Sequence, residues 1–328
     1  MEDCMNLHKN KELFSQAVEM TSQHFRIKRE FVEKDYWICR SLQLLAAADK
    51  DCHAVFKGGT SLTKAYGIGS RFSEDIDIAI ANSEQMTGNQ LKNIIKKTAH
   101  IMSWELEEIP KVGLTSKGSH YYKAFFAYPT ISDIPNASNA FKHGEILLEI
   151  NSFANPYPCE TRQINSFVTD FLNAKNRQDI IADYEMQSFN MTVLDRRRTM
   201  TEKLVSLVRC SMGDDYIVDL NAHIRHFYDL YYLTNDEKCM KYMQSIDFNK
   251  DFENLLNHDM VTFQRPVGWQ KRDIAESPLL KDFRRVWERL QTTYLRELPE
   301  LSYKEIPSAD DIFQAMVKII GIITSHYK

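Results

Sequence analysis

Two carboxylates one residue apart, Asp75 and Asp77, sit in the stretch VFKGGTSLTKAYGIGSRFSEDIDIAI (residues 55–80). Of all side chains in the sequence, they are the best placed to do chemistry. Ile76, Ile78 and Ile80 alternate with them, the period of a strand with one buried face, so both acids point the same way. Carboxylates set side by side repel unless a cation, a shared proton or solvent relieves them. A divalent metal is the reading that also uses the residues nearby. Gly58-Gly59-Thr60-Ser61 closes a short apolar strand, 53–56, that ends at Lys57. Glycines let a backbone approach phosphate oxygens, and a helix capped by Thr60 or Ser61 offers free N–H groups and a positive dipole end. Glu149 interrupts the otherwise apolar strand 145–150 and is the candidate third acid. Metal-assisted nucleotidyl transfer needs such carboxylates close to a triphosphate. Taken singly, each feature has a plainer reading. A D-x-D pair can be an exposed polar face, a G-G pair can be only a turn, and the phosphate-loop pattern G-x-x-x-x-G-K-[ST] is absent.

Other residues offer less. Arg196-Arg197-Arg198 and Lys203 open a helix, where Lys203 could meet a triphosphate across a domain cleft or simply face solvent. Asp229 follows Arg225 by one helical turn, so an intrahelical ion pair is its default partner. His223 and His226 lack the spacing of a helical zinc pair. The six cysteines include no C-x-x-C pair, which argues against a zinc site and a secreted disulfide framework. No G-x-S-x-G elbow is present.

Several elements must hold these residues. Two helices are expected over 11–48, the second carrying Glu33, Lys34 and Asp35 on what reads as a solvated face. An amphipathic helix over 87–102 carries Lys92, Lys96 and Lys97. Strands are expected at 104–109, 121–128, 145–150 and within 184–194, with loops at 129–142 and 155–159. From Arg196 onward the pattern turns helical, with candidates at 196–211, 216–233, 236–257, 280–296 and 309–326. The prediction is an α+β chain of two domains: 1–190 with a mixed sheet, and 191–328 as a helical bundle. Of the 328 residues, 41 are Lys or Arg and 45 Asp or Glu, a formal net charge of −4. Nucleic-acid binding would therefore have to come from local patches, 92–97 or 196–198. No basic-then-apolar leader and no apolar run long enough to cross a membrane is visible, and a cytoplasmic location is expected.

Taken together, KGGTSLTKAYGIGSRFSEDIDIAI resembles the signature of the AbiEii/AbiGii-type nucleotidyltransferase toxins of bacterial toxin–antitoxin and abortive-infection systems. VEKDYWICRSLQLL, GEILLEINSFANPYP, RRRTMTEKLVSLV and RHFYDLYYL resemble the helix, third-acid strand, lysine helix and final motif of that family, in the same order. The likeness spans about 30–235, and it makes Glu33–Tyr36 a candidate structural brace as well as a solvated face. It implies a DNA polymerase β-like nucleotidyltransferase domain followed by a helical bundle. By the resemblance, Lys57, Gly58, Gly59, Thr60, Ser61, Arg71, Ser73 and Lys203 would contact the nucleotide. Asp75, Asp77 and Glu149 would bind metal, and Lys203 and Asp229 would join the three acids in catalysis.

The resemblance further implies Mg²⁺ or Mn²⁺, an NTP substrate, an acceptor such as a tRNA 3′ end, and a cognate antitoxin that need not bind directly. Rival readings are a nucleotidyl- or phosphotransferase acting on a protein or small molecule, and a non-catalytic RNA- or protein-binding module on a relic transferase fold.

Overall fold

In the computed structural model, which describes residues 6–131 and 141–326, the chain forms two compact units. The first comprises residues up to Tyr66 together with Phe72–Leu194; the second comprises Gly67–Arg71 and the chain from Asp195 onward.

In the first unit, helices α1 (Lys11–Phe25) and α2 (Arg29–Ala48) lead to strand β1 (Ala54–Lys57), helix α3 (Gly58–Tyr66) and strand β2 (Asp75–Ile80). Helix α4 (Gly88–Met102) follows, then β3 (Glu107–Ile109), β4 (Ser116–Lys117), β5 (Tyr121–Ala127), β6 (Glu145–Asn151) and β7 (Cys159–Ile164). Helices α5 (Phe167–Ala174) and α6 (Gln178–Asp183) precede the last strand, β8 (Phe189–Leu194). The sheet has eight strands in the order β3-β5-β6-β2-β1-β8-β7, with β4 also on β5. β2 with β6 and β1 with β8 are parallel, and the other pairs are antiparallel, so the sheet is mixed.

β5 and β6 alternate strictly between half-buried and buried residues. Ile76 and Ile78 of β2, Leu148 and Ile150 of β6 and Phe56 of β1 are all almost fully buried. Helix α4 contributes Leu91, Ile95, Ala99 and Met102 to the core, and a Thr87/Gln90 capping box fixes its start. The half-buried face of β2 and β6 carries the acids. This is the physical content of the D-x-D alternation: burying the isoleucines obliges the carboxylates to stand on the other side.

The second unit holds α7 (Arg196–Ser211), α8 (Tyr216–Ala222), α9 (Ile224–Thr234), α10 (Glu237–Met243), α11 (Ile246–Thr262), α12 (Pro278–Lys281), α13 (Phe283–Leu301) and α14 (Ala309–His326). Its apolar contacts include Phe227, Leu230, Trp287, Tyr294 and Ile319, each nearly or fully buried. No helix among the described residues is long and apolar enough to cross a membrane.

Several local expectations differ from what is found. The expected helix 216–233 breaks at His223 and 236–257 breaks before Ser245, whose hydroxyl caps a new helix by accepting from Phe248 N–H. The strand expected at 104–109 shrinks to Glu107–Ile109. β7, α5 and α6 lie where no element was expected. β7 is an edge strand, and its burial alternates too weakly for an apolar pattern to mark it. Most of the expected loop 129–142, Pro135 included, lies outside the described residues.

Candidate active site

In the first unit the polar residues gather across four strands. β1 pairs Lys57 with Asp77, β2 pairs Asp77 with Glu149 in parallel register, and β6 pairs Glu149 with Lys123 of β5. The row therefore reads Lys57, Asp77, Glu149, Lys123: two acids flanked by two lysines. Asp75 lies two residues before Asp77 on the same half-buried face. Lys123 Nζ stands 2.7 Å from Glu149 Oε1. Tyr121 also hydrogen-bonds Glu149, and burial, reinforced by the charges of Glu149 and Asp77, pushes its phenol above its ordinary range.

The glycine turn lies beneath Asp77. Gly58 has φ +79, in the left-handed region, and a Cβ there would stand 2.1 Å from Asp77 Oδ2. Only glycine meets both demands. The helix starts at Gly58 itself, one turn earlier than a Thr60 or Ser61 cap would place it. Both hydroxyls act as donors instead: Thr60 to the Asp75 carbonyl at 2.5 Å and Ser61 to the Gly58 carbonyl at 2.9 Å. The N–H groups of the first helical turn, which have no partner within the helix, are the donors this turn offers. Ser73 is buried just ahead of β2.

The acids suit a divalent ion. Among the described residues no group of three His, Cys, Asp or Glu side chains could hold a metal by itself. Mg²⁺ does not require one, since it commonly takes one or two carboxylates and completes its shell with water and substrate phosphates. Asp75 and Asp77 beside a phosphate-suited turn offer that donor set.

Behind the row, three consecutive charges of α2 are buried rather than solvated. Glu33, Lys34 and Asp35 are each 1% exposed, because their partners lie on other elements of the unit. Lys34 Nζ is 2.9 Å from Glu74 Oε1, Asp35 Oδ1 is 2.7 Å from Lys64 Nζ, and Glu33 Oε2 is 2.9 Å from His143 Nε2.

The second unit carries its own cluster. Asp229 on α9 receives both Nε and Nη2 of Arg71 at 2.7 Å and Lys203 Nζ of α7 at 2.9 Å. Arg71, expected among the nucleotide contacts, belongs to this unit with Gly67–Arg71 and is itself buried. Burial alone would raise the Asp229 carboxyl, but the charges of Arg71 and Lys203 prevail and hold it well below the usual carboxylate range. The expected Arg225–Asp229 pair gives way to this arrangement. An exposed i,i+4 pair contributes only about 0.3–0.5 kcal/mol, whereas a carboxylate as buried as Asp229 requires partners that stay with it. Lys203 is likewise buried, not on a solvated face. Ser70 N–H donates to Tyr228 Oη at 2.9 Å, fixing the loop that delivers Arg71. His226 is kept neutral by burial and by the nearby charges of Lys203 and His223.

The two basic stretches also separate. Arg196, Arg197 and Arg198 pair with Asp236, Asp195 and Glu202. Lys92, Lys96 and Lys97 stay exposed on α4. Sequence reasoning passed over Lys123 and Tyr121. The period-two rule that picked out Asp75 and Asp77 would have found them, since Tyr122, Ala124 and Phe126 form the buried alternation between them.

The model of the family described as "Nucleotidyl transferase AbiEii toxin, Type IV TA system" matches residues 40–315. Among solved structures, the chain is similar to the nucleotidyltransferase toxin MenT4 of Mycobacterium tuberculosis, at 13% identity and a TM-score of 0.45 over 93% of this chain and 98% of that one. It is also similar to JHP933 of Helicobacter pylori, at 15% identity and a TM-score of 0.41 over 89% and 93%. No curated protein matches.

Proposed function

The chain belongs to the AbiEii family of nucleotidyl transferase toxins of type IV toxin–antitoxin systems, and from that premise we propose that it transfers a nucleoside monophosphate from an NTP to an RNA 3′ hydroxyl, such as a tRNA end, in a metal-dependent reaction. The observation that carries this reading is the Asp75/Asp77 pair on one strand face with Gly58 packed under the Asp77 carboxylate. The acceptor hydroxyl gives up its proton to a carboxylate of the site as its oxygen forms a bond to the α-phosphorus, while the bond to the bridging oxygen of the β-phosphate breaks. Pyrophosphate leaves with that electron pair. Asp75 and Asp77 are the proposed ligands of Mg²⁺ or Mn²⁺, which would supply Lewis acidity at the α-phosphate, and Glu149 is the third acid beside them. The first-turn N–H groups of α3, from Gly58 to Ser61, bind triphosphate oxygens, and Lys57, just before that turn, and Ser73, two residues before Asp75, are further proposed nucleotide contacts. In the second unit, Lys203, steadied by Asp229 and Arg71, is the proposed phosphate cation.

The two units serve as the two domains of this reading, divided at Leu194–Asp195 rather than near residue 190, with Gly67–Arg71 in the second. The location is the cytoplasm, where NTPs and tRNA are found, and a cognate antitoxin is the expected partner.

The test is incorporation of α-labelled NTP into purified tRNA by the wild-type chain and by Asp77→Ala. The expected result is labelled tRNA from the wild type and a loss of about 100- to 1000-fold in the variant, the size seen when one main electrostatic group of a centre is removed. Full incorporation by Asp77→Ala would sink the mechanism. Label arriving from the γ- and not the α-phosphate would make the enzyme a phosphotransferase, and RNase-resistant label in protein bands would move the acceptor to protein.

A further inference from the structure

We propose that Glu33, Lys34 and Asp35 of α2 are positioning residues of this active site: three consecutive buried charges, each tied to a different segment that carries catalytic groups. This rests on the reading of Asp75, Asp77 and the α3 turn given above. Lys34 Nζ donates to Glu74 Oε1 at 2.9 Å and to the Lys142 carbonyl at 3.0 Å. The same Glu74 oxygen accepts the Lys142 N–H at 2.8 Å. One ammonium and one carboxylate thus knot the residue just before Asp75 to the chain leading into β6. Glu33 holds that chain a second time, through His143 Nε2 at 2.9 Å, and also accepts the Ile131 N–H at 2.7 Å. Asp35 takes Lys64 of α3, the helix that begins at the glycine turn, and the Phe167 N–H of α5, both at 2.7 Å. Adjacent helical residues point in different directions, about 100° apart, which is how three neighbours reach three segments.

Stability does not account for this arrangement. Burying charges costs desolvation, and well-packed apolar side chains of similar volume commonly serve a fold as well or better. What apolar contacts cannot supply is direction. The parallel pairing of β2 with β6 decides that Asp77 stands opposite Glu149, and a slip of one residue would turn either acid to the buried face. The Lys34–Glu74–Lys142 knot fixes both strands at the end where they start. Burial pushes the Lys34 ammonium below its ordinary range, while Glu74, Asp75 and Glu145 pull it back up.

The test compares two double variants with the wild type, using unfolding temperature, Mn²⁺ affinity by EPR, and kcat and KM for NMP transfer. K34M/E74L removes the knot. K34M/E74Q removes both charges but keeps an amide able to accept the Lys142 N–H and donate to its carbonyl. The expected result for K34M/E74L is a folded protein with Mn²⁺ binding weakened about tenfold and kcat/KM lower by about 100-fold, the usual effect of misplacing reacting groups by about 1 Å. K34M/E74Q should recover most of both. If K34M/E74L does not fold, His143→Ala cuts the Glu33 contact to the chain leading into β6, leaving its Ile131 contact, and should weaken Mn²⁺ binding without preventing folding; wild-type Mn²⁺ affinity in it would overturn the proposal. Wild-type Mn²⁺ affinity and turnover in folded K34M/E74L, or equal loss in both double variants, would overturn the proposal. If the wild type binds Mn²⁺ but transfers no nucleotide, the function proposed above fails while the Mn²⁺ arm still decides this one. If the wild type binds no Mn²⁺, both fail.

Discussion

Gly58 shows how one position can be constrained twice. Its φ of +79 would cost another residue about 1–2 kcal/mol. In addition, an added Cβ would meet Asp77 Oδ2 at 2.1 Å, so the carboxylate would have to move. Gly67 is the natural control: its φ is +64, but nothing lies within 4 Å of a Cβ built there. Gly58→Ala should therefore abolish nucleotide transfer and lower stability. Gly67→Ala should lower stability by a similar backbone amount and keep its activity. Thermal unfolding and an α-labelled NTP assay on both variants check this; equal activities would mean that Asp77 does not need its present place. Asp229 is a second residue whose partners decide its character. Spacing offered it Arg225, whereas it is gripped by Arg71, distant in sequence, and by Lys203.

At the scale of elements, α2 joins the two kinds of packing in the first unit. One side buries Phe31, Ile38, Leu42 and Leu45 at helical spacing, while Glu33, Lys34 and Asp35 reach to other segments. His8, just ahead of α1, packs its ring 4.6 Å from Trp37 of α2 and pairs Nδ1 with Tyr36 Oη at 2.9 Å. Burial lowers its pKa to about 4, outweighing the opposing pull of Glu105, with Lys9 and Arg40 acting in the same direction as burial. The folded form therefore prefers neutral His8. As pH falls, the unfolded chain takes up the proton first, near 6.5. The contribution of His8 should be complete above about pH 6.5 and be lost progressively down to about pH 4. Urea unfolding of wild type and His8→Gln at pH 7 and at pH 4.5 tests this. The variant should lose less stability over the interval, and parallel losses would show that His8 is not responsible.

For the whole molecule, each unit buries its own set of apolar side chains, unlike small domains that fold only around a metal. Chelation with EDTA should thus abolish nucleotide transfer while leaving the unfolding transition in place; coincident loss of structure would mean that the metal has a structural role. Much of this organisation was legible in the sequence. The period-two alternation of 75–80 required both aspartates to share a face, the paired glycines marked a turn, and the long helical patterns after Arg196 marked the second unit's class. Each is a local property, set by backbone geometry and by the need to bury apolar side chains. The helix breaks at His223 and before Ser245, and the edge strand β7, were not legible, because caps and edge pairings depend on neighbours more than on pattern. The partners of charged residues were decided by tertiary structure alone. By spacing alone Glu33, Lys34 and Asp35 read as a solvated face and proved buried; Lys203 read as a triphosphate contact or a solvated face and Asp229 as the partner of Arg225, and both are buried in a clamp with Arg71. The physical reason is that a charge can be buried only where an opposite charge or a hydrogen-bonding group is brought to it. Which distant segment does so is fixed by strand register and helix packing, which no short stretch of sequence contains.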